Sequence, residues 1–190
     1  MKFSYEQKER VKEMRVVVIG CGSIGSHVTV ALARLGVKKF ILIDDDKVEE
    51  KNVRNQVFLK HQVGLEKVEA LGMMIEAIDS RIDWVPMPRK FQQVAPLIRW
   101  DDVDLIIEAT DSSGQKREIW KALDLMGVLW VGCNGTAGID PLIEIKRAAN
   151  GWIVGDMKSE ANVDNWGVAP KIMIISGTMV CLAVEKYLNG

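Results

Sequence analysis

Gly20, Gly22 and Gly25 stand at GxGxxG spacing in "RVVVIGCGSIGSH", and Asp44 comes about 20 residues later. Each glycine has a task in such a loop. Gly20 lets the chain turn tightly, Gly22 lets backbone approach a phosphate, and Gly25 lets helix and strand pack closely. Ser23 opens the helix, whose N-terminus favours negative charge. An acid at position 44 can accept hydrogen bonds from ribose hydroxyls. To this point the pattern serves a nicotinamide dinucleotide and ATP equally. The residues beyond Asp44 separate the two. Where an ordinary dinucleotide fold continues into a helix, "DDDKVEEKNVRNQVFLKHQVG" is a long polar connection carrying Asp46, Asn52, Arg54, Asn55 and Gln56. Lys67 then lies on the first turn of a helix, and Asp111 lies just past an apolar strand in "VDLIIEATD". A carboxylate able to hold Mg2+ and a lysine able to neutralise phosphate suit attack at an α-phosphate; hydride transfer needs neither.

Those residues need a scaffold that gathers strand ends. From Met14 onward, apolar runs alternate with helical patterns: "MRVVVIG", "SHVTVALARLG" and "KKFILID" form a βαβ unit. "VEALGMMIEAI" reads as a helix, "IDWVPMP" and "VDLIIEATD" as strands, "KREIWKALDLMG" as a helix and "VLWVGCN" as a strand. "PLIEIKRAANGWIVG" reads as two strands with a turn at Asn150 and Gly151. The spacing predicts an α/β fold: a Rossmann-like, doubly wound, mostly parallel sheet with an antiparallel C-terminal edge. Ligands of such sheets bind beyond the carboxyl ends of the strands, so Gly22, Asp44 and Asp111 are expected in one crevice.

The 190 residues, 48% of them hydrophobic, are read as one domain over 1–190, with an N-terminal helix at 1–13, a crossover segment at 155–168 and a closing helix at 169–188. With 25 basic and 26 acidic side chains the net charge is -1, which gives no footprint for nucleic acid or an anionic membrane. No run approaches the roughly 18 to 20 uninterrupted apolar residues of a membrane span, and "MKFSYEQKER" lacks a signal-peptide core, so a cytoplasmic protein is expected. Cys21, Cys133 and Cys181 are too far apart in sequence for a CxxC zinc site, and their odd number argues against a disulfide framework.

In these features the sequence resembles the ThiF, MoeB and ubiquitin-activating E1 superfamily, which activates carboxylates by adenylation. The resemblance rests on "GCGSIGSH", "DDDKVEEKNVRNQ", "VGLEK", "EATD" and the late segment "WGVAPKIMIISGTMVCLAVEKYL". It implies that Gly20, Gly22, Ser23 and Gly25 cradle ATP phosphates, and that Asp44, Asp46, Asn52 and Gln56 help hold the nucleotide. It further implies that Lys67 contacts phosphate and that Asp111 positions Mg2+ and the α-phosphate. The substrate would be the C-terminal glycine of a ubiquitin-like carrier or a small-molecule carboxylate, such as a pyridinol cofactor precursor, and relatives form homodimers. Three departures stand out. Asn55 occupies the place where relatives carry arginine, a role either carried by Arg54 or absent; the two zinc-binding CxxC pairs are missing; and the crossover segment has no cysteine. Lys8 and Arg10 are the basic residues available for a role across a dimer.

Plainer readings stand beside these. Lys67 can be a solvated helix residue, Asp111 a helix cap, and Cys21 and Cys133 small packing residues. His27 and His61 are isolated. The six tryptophans, Trp84, Trp100, Trp120, Trp130, Trp152 and Trp166, are core or interface candidates, with Trp166 also placed to meet substrate. An NAD-dependent oxidoreductase and a non-catalytic E1-like subunit are the alternatives in other classes.

Overall fold

The computed structural model describes residues 3–111, 113–160 and 168–190. Among the described residues, seven strands form one sheet in the order β3-β2-β1-β4-β5-β7-β6. β1 (Arg15–Ile19) sits between β2 (Lys39–Ile43) and β4 (Leu105–Glu108), parallel to both. β3 (Asp83–Met87) continues the parallel sheet beside β2, and β5 (Trp130–Cys133) beside β4. β7 (Gly151–Gly155) is parallel to β5, and β6 (Glu144–Arg147) closes the sheet antiparallel to β7. The expected antiparallel edge is therefore β6.

A central strand must be apolar on both faces, and "RVVVI" meets that demand. Val16 and Val18 enter one core while Val17 and Ile19 enter the other. The first core is roofed by α2 (Ser23–Leu35), α3 (Lys67–Ile78) and α6 (Ala169–Asn189), through side chains such as Val28, Leu71 and Ile175. The second is covered by α5 (Ser113–Met126) and the short α4 (Phe91–Val94), through Ile119, Leu123 and Phe91. The N-terminal helix α1 (Tyr5–Glu13) begins in a capping box: Ser4 Oγ accepts from the Gln7 N–H at 3.1 Å, and Gln7 Oε1 accepts from the Ser4 N–H at 3.0 Å. α2 ends at Gly36, which takes the left-handed conformation with φ 112°.

Three details differ from the sequence reading. The stretch between β3 and β4, unassigned by periodicity, folds into α4 and 3-10 turns at Ala95–Leu97 and Trp100–Asp102. These turns are too short to show a helical period, yet Phe91, Val94 and Ile98 are buried. Gly151 is the first residue of β7 and not part of the hairpin turn, because it pairs with Trp130, whose ring would lie 2.1 Å from any Cβ placed there. α6, although interrupted by polar residues, is long and apolar enough to cross a membrane by length and composition, with a mean hydropathy of 1.3; it packs on α2, β5 and β7. Trp166 and most of the crossover segment, 161–167, lie outside the described residues.

A Cβ at Gly25 would stand 1.8 Å from the Gly20 carbonyl oxygen, so helix and loop cannot both hold their places around a side chain there. Gly25→Ala should destabilise the protein by about 2 kcal/mol or more, the scale of an overpacked core. Urea unfolding checks this, and an unchanged midpoint would contradict the packing.

Candidate functional site

The β1–α2 turn is wedged between the ends of β2 and β4. Gly20, at φ 90°, brings its backbone so close to β4 that a Cβ would meet the Ala109 carbonyl carbon and oxygen at 2.7 Å. On the other side the Cys21 N–H donates to Asp44 Oδ2 at 2.6 Å. Gly22, in contrast, has nothing within 4 Å of where a Cβ would be. It is the N-cap of α2, and among the described residues no side chain caps that helix end. An N-terminus that no described side chain caps, beside an open glycine, is the arrangement that can receive phosphate. Gly20 and Gly25 are thus required by close approach, and Gly22 leaves its surroundings open among the described residues.

Asp44 lies one residue past β2, where its other oxygen accepts from the Asp46 N–H at 2.9 Å. Burial raises its carboxyl above the usual value, and Lys67 and the two backbone donors offset this only in part. Lys67 begins α3 and is only 6% exposed, so it is not a solvated surface lysine. Its ammonium donates to Asp46 Oδ2 at 2.6 Å. Burial alone would lower its pKa, but Asp44 and Asp46 outweigh burial and hold Lys67 above its usual value, hence charged. Asp46 is exposed at its outer face and supplies the backbone carbonyl that receives the Lys67 N–H at 2.9 Å.

The polar connection after β2 folds back over this site. Lys47 bridges Glu66, Val48 exchanges backbone hydrogen bonds with Leu65 and Gly64, and the Val57 N–H donates to Ser26 Oγ on α2 at 3.4 Å. Asn52 is buried in a 3-10 turn, Glu50–Arg54, with its Oδ1 accepting from the Glu49 N–H at 2.8 Å. It is thus occupied in holding the loop. Gln56 Oε1 is buried without a hydrogen-bond partner among the described residues. An acceptor left in that condition is costly unless a ligand or water serves it. Arg54 is exposed and Asn55 half-buried. Asp111 stands exposed in a bend beyond β4, shortly before α5.

The residues fit a nucleotide: open backbone over Gly22, an uncapped helix N-terminus, a buried cation and an orphaned buried acceptor. Hard carboxylate oxygens suited to Mg2+ stand at the same strand ends. The carboxylates of Asp44, Asp45 and Asp46 lie within 4.8 Å of one another, but Asp46 is engaged by Lys67 and Asp44 by backbone donors. Asp111 is the more available acid.

Cys21 is buried within the loop, and burial, reinforced by Asp44, pushes its thiol well up. Burial likewise raises the Cys133 thiol, with Lys116 offsetting this in part. Both cysteines pack. His27 Nδ1 lies 2.7 Å from the Ser23 carbonyl within α2. Arg10 donates to the Tyr187 and Leu188 carbonyls, both at 3.0 Å, and lies over the Tyr187 ring, so it is engaged within its own chain. A hollow of about 530 Å³ near Arg10, Asp104 and Gly127 is at the amino ends of the strands, opposite this crevice.

Two polar clusters among the described residues have no role in the sequence reading. Glu108, the last residue of β4, is fully buried and meets Lys116 of α5, with both carboxylate oxygens 3.3 Å from Nζ. An acid ending an otherwise apolar strand needs a buried partner, which was the available signal. Farther along the strand ends, Lys171 of α6 donates to Asp156 Oδ2 at 2.5 Å and to the Ala137 carbonyl at 2.6 Å. Asp156 Oδ1 accepts from the N–H groups of Lys158 and Ser159 at 2.8 and 2.7 Å. This knot ties the loop after β5 and the start of the crossover segment to the first turn of α6.

Burial alone would raise the Asp156 carboxyl, but Lys171 and the backbone donors outweigh it and hold it well below the usual carboxylate range. A depressed pKa contributes stability that is present above about pH 4 and lost as pH falls. Asp156→Asn should therefore lower stability at pH 7 and flatten the decline below about pH 4, read by denaturant midpoints. Parallel wild-type and variant curves through that window would contradict the assignment.

Comparison with known proteins agrees with this geometry. The ThiF family model matches residues 1–139. The ubiquitin-like modifier-activating enzyme 5 of Xenopus laevis is 28% identical over 175 residues, covering 84% of this chain and 44% of that protein. The chain spans less than half the length of such curated relatives. Among solved structures, E. coli tRNA N6-threonylcarbamoyladenosine dehydratase, TcdA, in complex with ATP superposes with a TM-score of 0.86 at 19% identity, covering 98% of this chain and 90% of that one. E. coli MccB with AMPCPP and MccA gives a TM-score of 0.73 at 19% identity, covering 95% and 58%. With a family model matched across the glycine loop, the polar connection, Lys67 and Asp111, the chain belongs to the ThiF family.

Proposed function

We propose that the protein binds ATP at the carboxyl ends of β1, β2 and β4 and activates a carboxylate as its acyl adenylate. Lys67 carries this reading: a charged lysine, 6% exposed and aligned by Asp46, has a task beside a triphosphate and none in hydride transfer. Membership of the ThiF family and the ATP and AMPCPP in the two structural relatives support the same nucleotide.

In this reading the phosphates lie against Gly22 and the N-terminus of α2, and Asp44 receives the ribose hydroxyls. Lys67 shares its N–H groups between Asp46 and phosphate, and the orphaned Gln56 Oε1 gains a donor from the nucleotide. Asp111 holds Mg2+, which when bound neutralises charge on phosphate oxygens. The substrate carboxylate oxygen attacks the α-phosphorus in line, the bond to the β-phosphate oxygen breaks, and pyrophosphate leaves. Positioning and fixed charge supply the catalysis, without a protein nucleophile.

The acyl substrate is a carboxylate on a ubiquitin-like carrier or a small molecule such as a pyridinol precursor. The relatives named as activating a ubiquitin-like modifier favour the first. The missing zinc cysteines and the crossover segment without cysteine favour the second. A net charge of -1 gives no support to a tRNA substrate of the kind named for TcdA.

ATP–pyrophosphate exchange, screened over ubiquitin-like carriers and pyridine carboxylates, tests the proposal. One substrate should support exchange, and Asp111→Ala should lower it roughly 100-fold, the scale of losing a charge-stabilising group. Lys67→Met should weaken ATP binding about 10-fold or more. Exchange unaffected by both substitutions would refute the assignment of these residues. Nicotinamide turnover without exchange would refute adenylation itself.

A further inference from the structure

Glu108 has no role in the chemistry above, yet it is fully buried at the end of the strand that delivers Asp111. Its carboxylate is completely occupied. Oε1 accepts from the Thr110 N–H at 2.8 Å and from Thr110 Oγ1 at 2.5 Å, and Oε2 accepts from Trp120 Nε1 at 2.7 Å. Lys116 Nζ lies 3.3 Å from both oxygens and 3.6 Å from Cys133 Sγ. The neighbouring strand β5 is fitted to the cluster as well: a Cβ on Gly132 would stand 3.2 Å from Glu108 Oε2 and 3.0 Å from Trp120 Nε1.

Lys116 is only 7% exposed, and its three N–H groups already have three acceptors. Cys133 is 2% exposed. Neither is free to meet a substrate, so the cluster acts through its neighbours. The neighbour it grips is Thr110, held by both backbone and hydroxyl, and Thr110 immediately precedes Asp111. The backbone of Ala109 and Thr110 is also what Gly20 abuts: a Cβ there would meet the Thr110 nitrogen at 2.9 Å. One carboxylate therefore fixes the turn that touches the glycine loop on one side and presents Asp111 on the other.

We propose that Glu108, through Thr110 and with Lys116 as its counter-ion, is a positioning residue that sets Asp111 for the cation accompanying ATP. The inference rests on the reading of Asp111 given above and goes beyond it, since it makes metal use depend on a hydroxyl that is committed to Glu108. Fixing the backbone from which Asp111 projects lowers the cost of ordering its carboxylate when the cation arrives.

The test is calorimetric titration of the intact protein with ATP, with and without Mg2+, in wild type, Asp111→Ala, Thr110→Val and Thr110→Ser. Valine keeps the shape of threonine and removes the hydroxyl donor; serine restores it. Wild type should bind ATP more tightly with Mg2+, and Asp111→Ala should lose that gain. Thr110→Val should lose most of it, roughly tenfold for a hydrogen bond to a charged group, at unchanged Mg2+-free affinity, and Thr110→Ser should keep it. A full gain in Thr110→Val beside its loss in Asp111→Ala overturns the proposal while leaving the role of Asp111 intact. Loss in Thr110→Ser as well, or an equal fall of Mg2+-free binding in Thr110→Val, also overturns it. A gain retained by Asp111→Ala removes the role of Asp111, and the proposal with it.

Discussion

The site depends on one close approach. Gly25 lies so near the Gly20 carbonyl, and Gly20 so near Ala109, that no side chain fits at either position. This contact draws the β1–α2 turn down between two neighbouring strands. Because β1 is flanked by β2 and β4, the same turn meets Asp44 through Cys21 on one side and the Thr110–Asp111 bend on the other. Three segments distant in sequence thereby form one crevice at the point where strand order reverses, where open α/β sheets take their ligands.

The electrostatics arise from that crowding. Asp44 is partly desolvated, which raises its carboxyl, and a buried Lys67 stays charged only because Asp44 and Asp46 face it. The lysine is held by Asp46; in the proposed reading, phosphate would give the same ammonium a second acceptor in a region of reduced dielectric, where fixed charges act strongly. The two further buried pairs, Glu108 with Lys116 and Asp156 with Lys171, stand at the ends of β4 and β7. Each lysine comes from the first two turns of a helix, so each pair binds a strand end to a helix beginning. The rim of the crevice is therefore held by charge as well as by apolar packing.

Much of this was legible in the sequence because the sheet is central and apolar. "VVVI" and "LII" are continuous apolar runs of the kind a doubly covered strand requires, and the glycine spacing stated its own geometry. Lys67 and Asp111 could be placed because helix starts and strand ends are marked by periodicity. What escaped was set by three-dimensional pairing. Gly151 reads as a turn residue and is a strand residue because Trp130 crosses it. The pairing of Lys171 with Asp156 joins residues whose intervening segment carries no periodic signal. Asn52 also caps its own 3-10 turn through Oδ1, a local geometry that residue type alone does not reveal.

A crystal structure of the protein with MgATP tests the central claim most directly. The account predicts triphosphate over Gly22 and the start of α2, Lys67 Nζ in contact with phosphate, and a donor within hydrogen-bond distance of Gln56 Oε1. Nucleotide bound elsewhere, or phosphate seated here with Lys67 still turned wholly to Asp46, would contradict it.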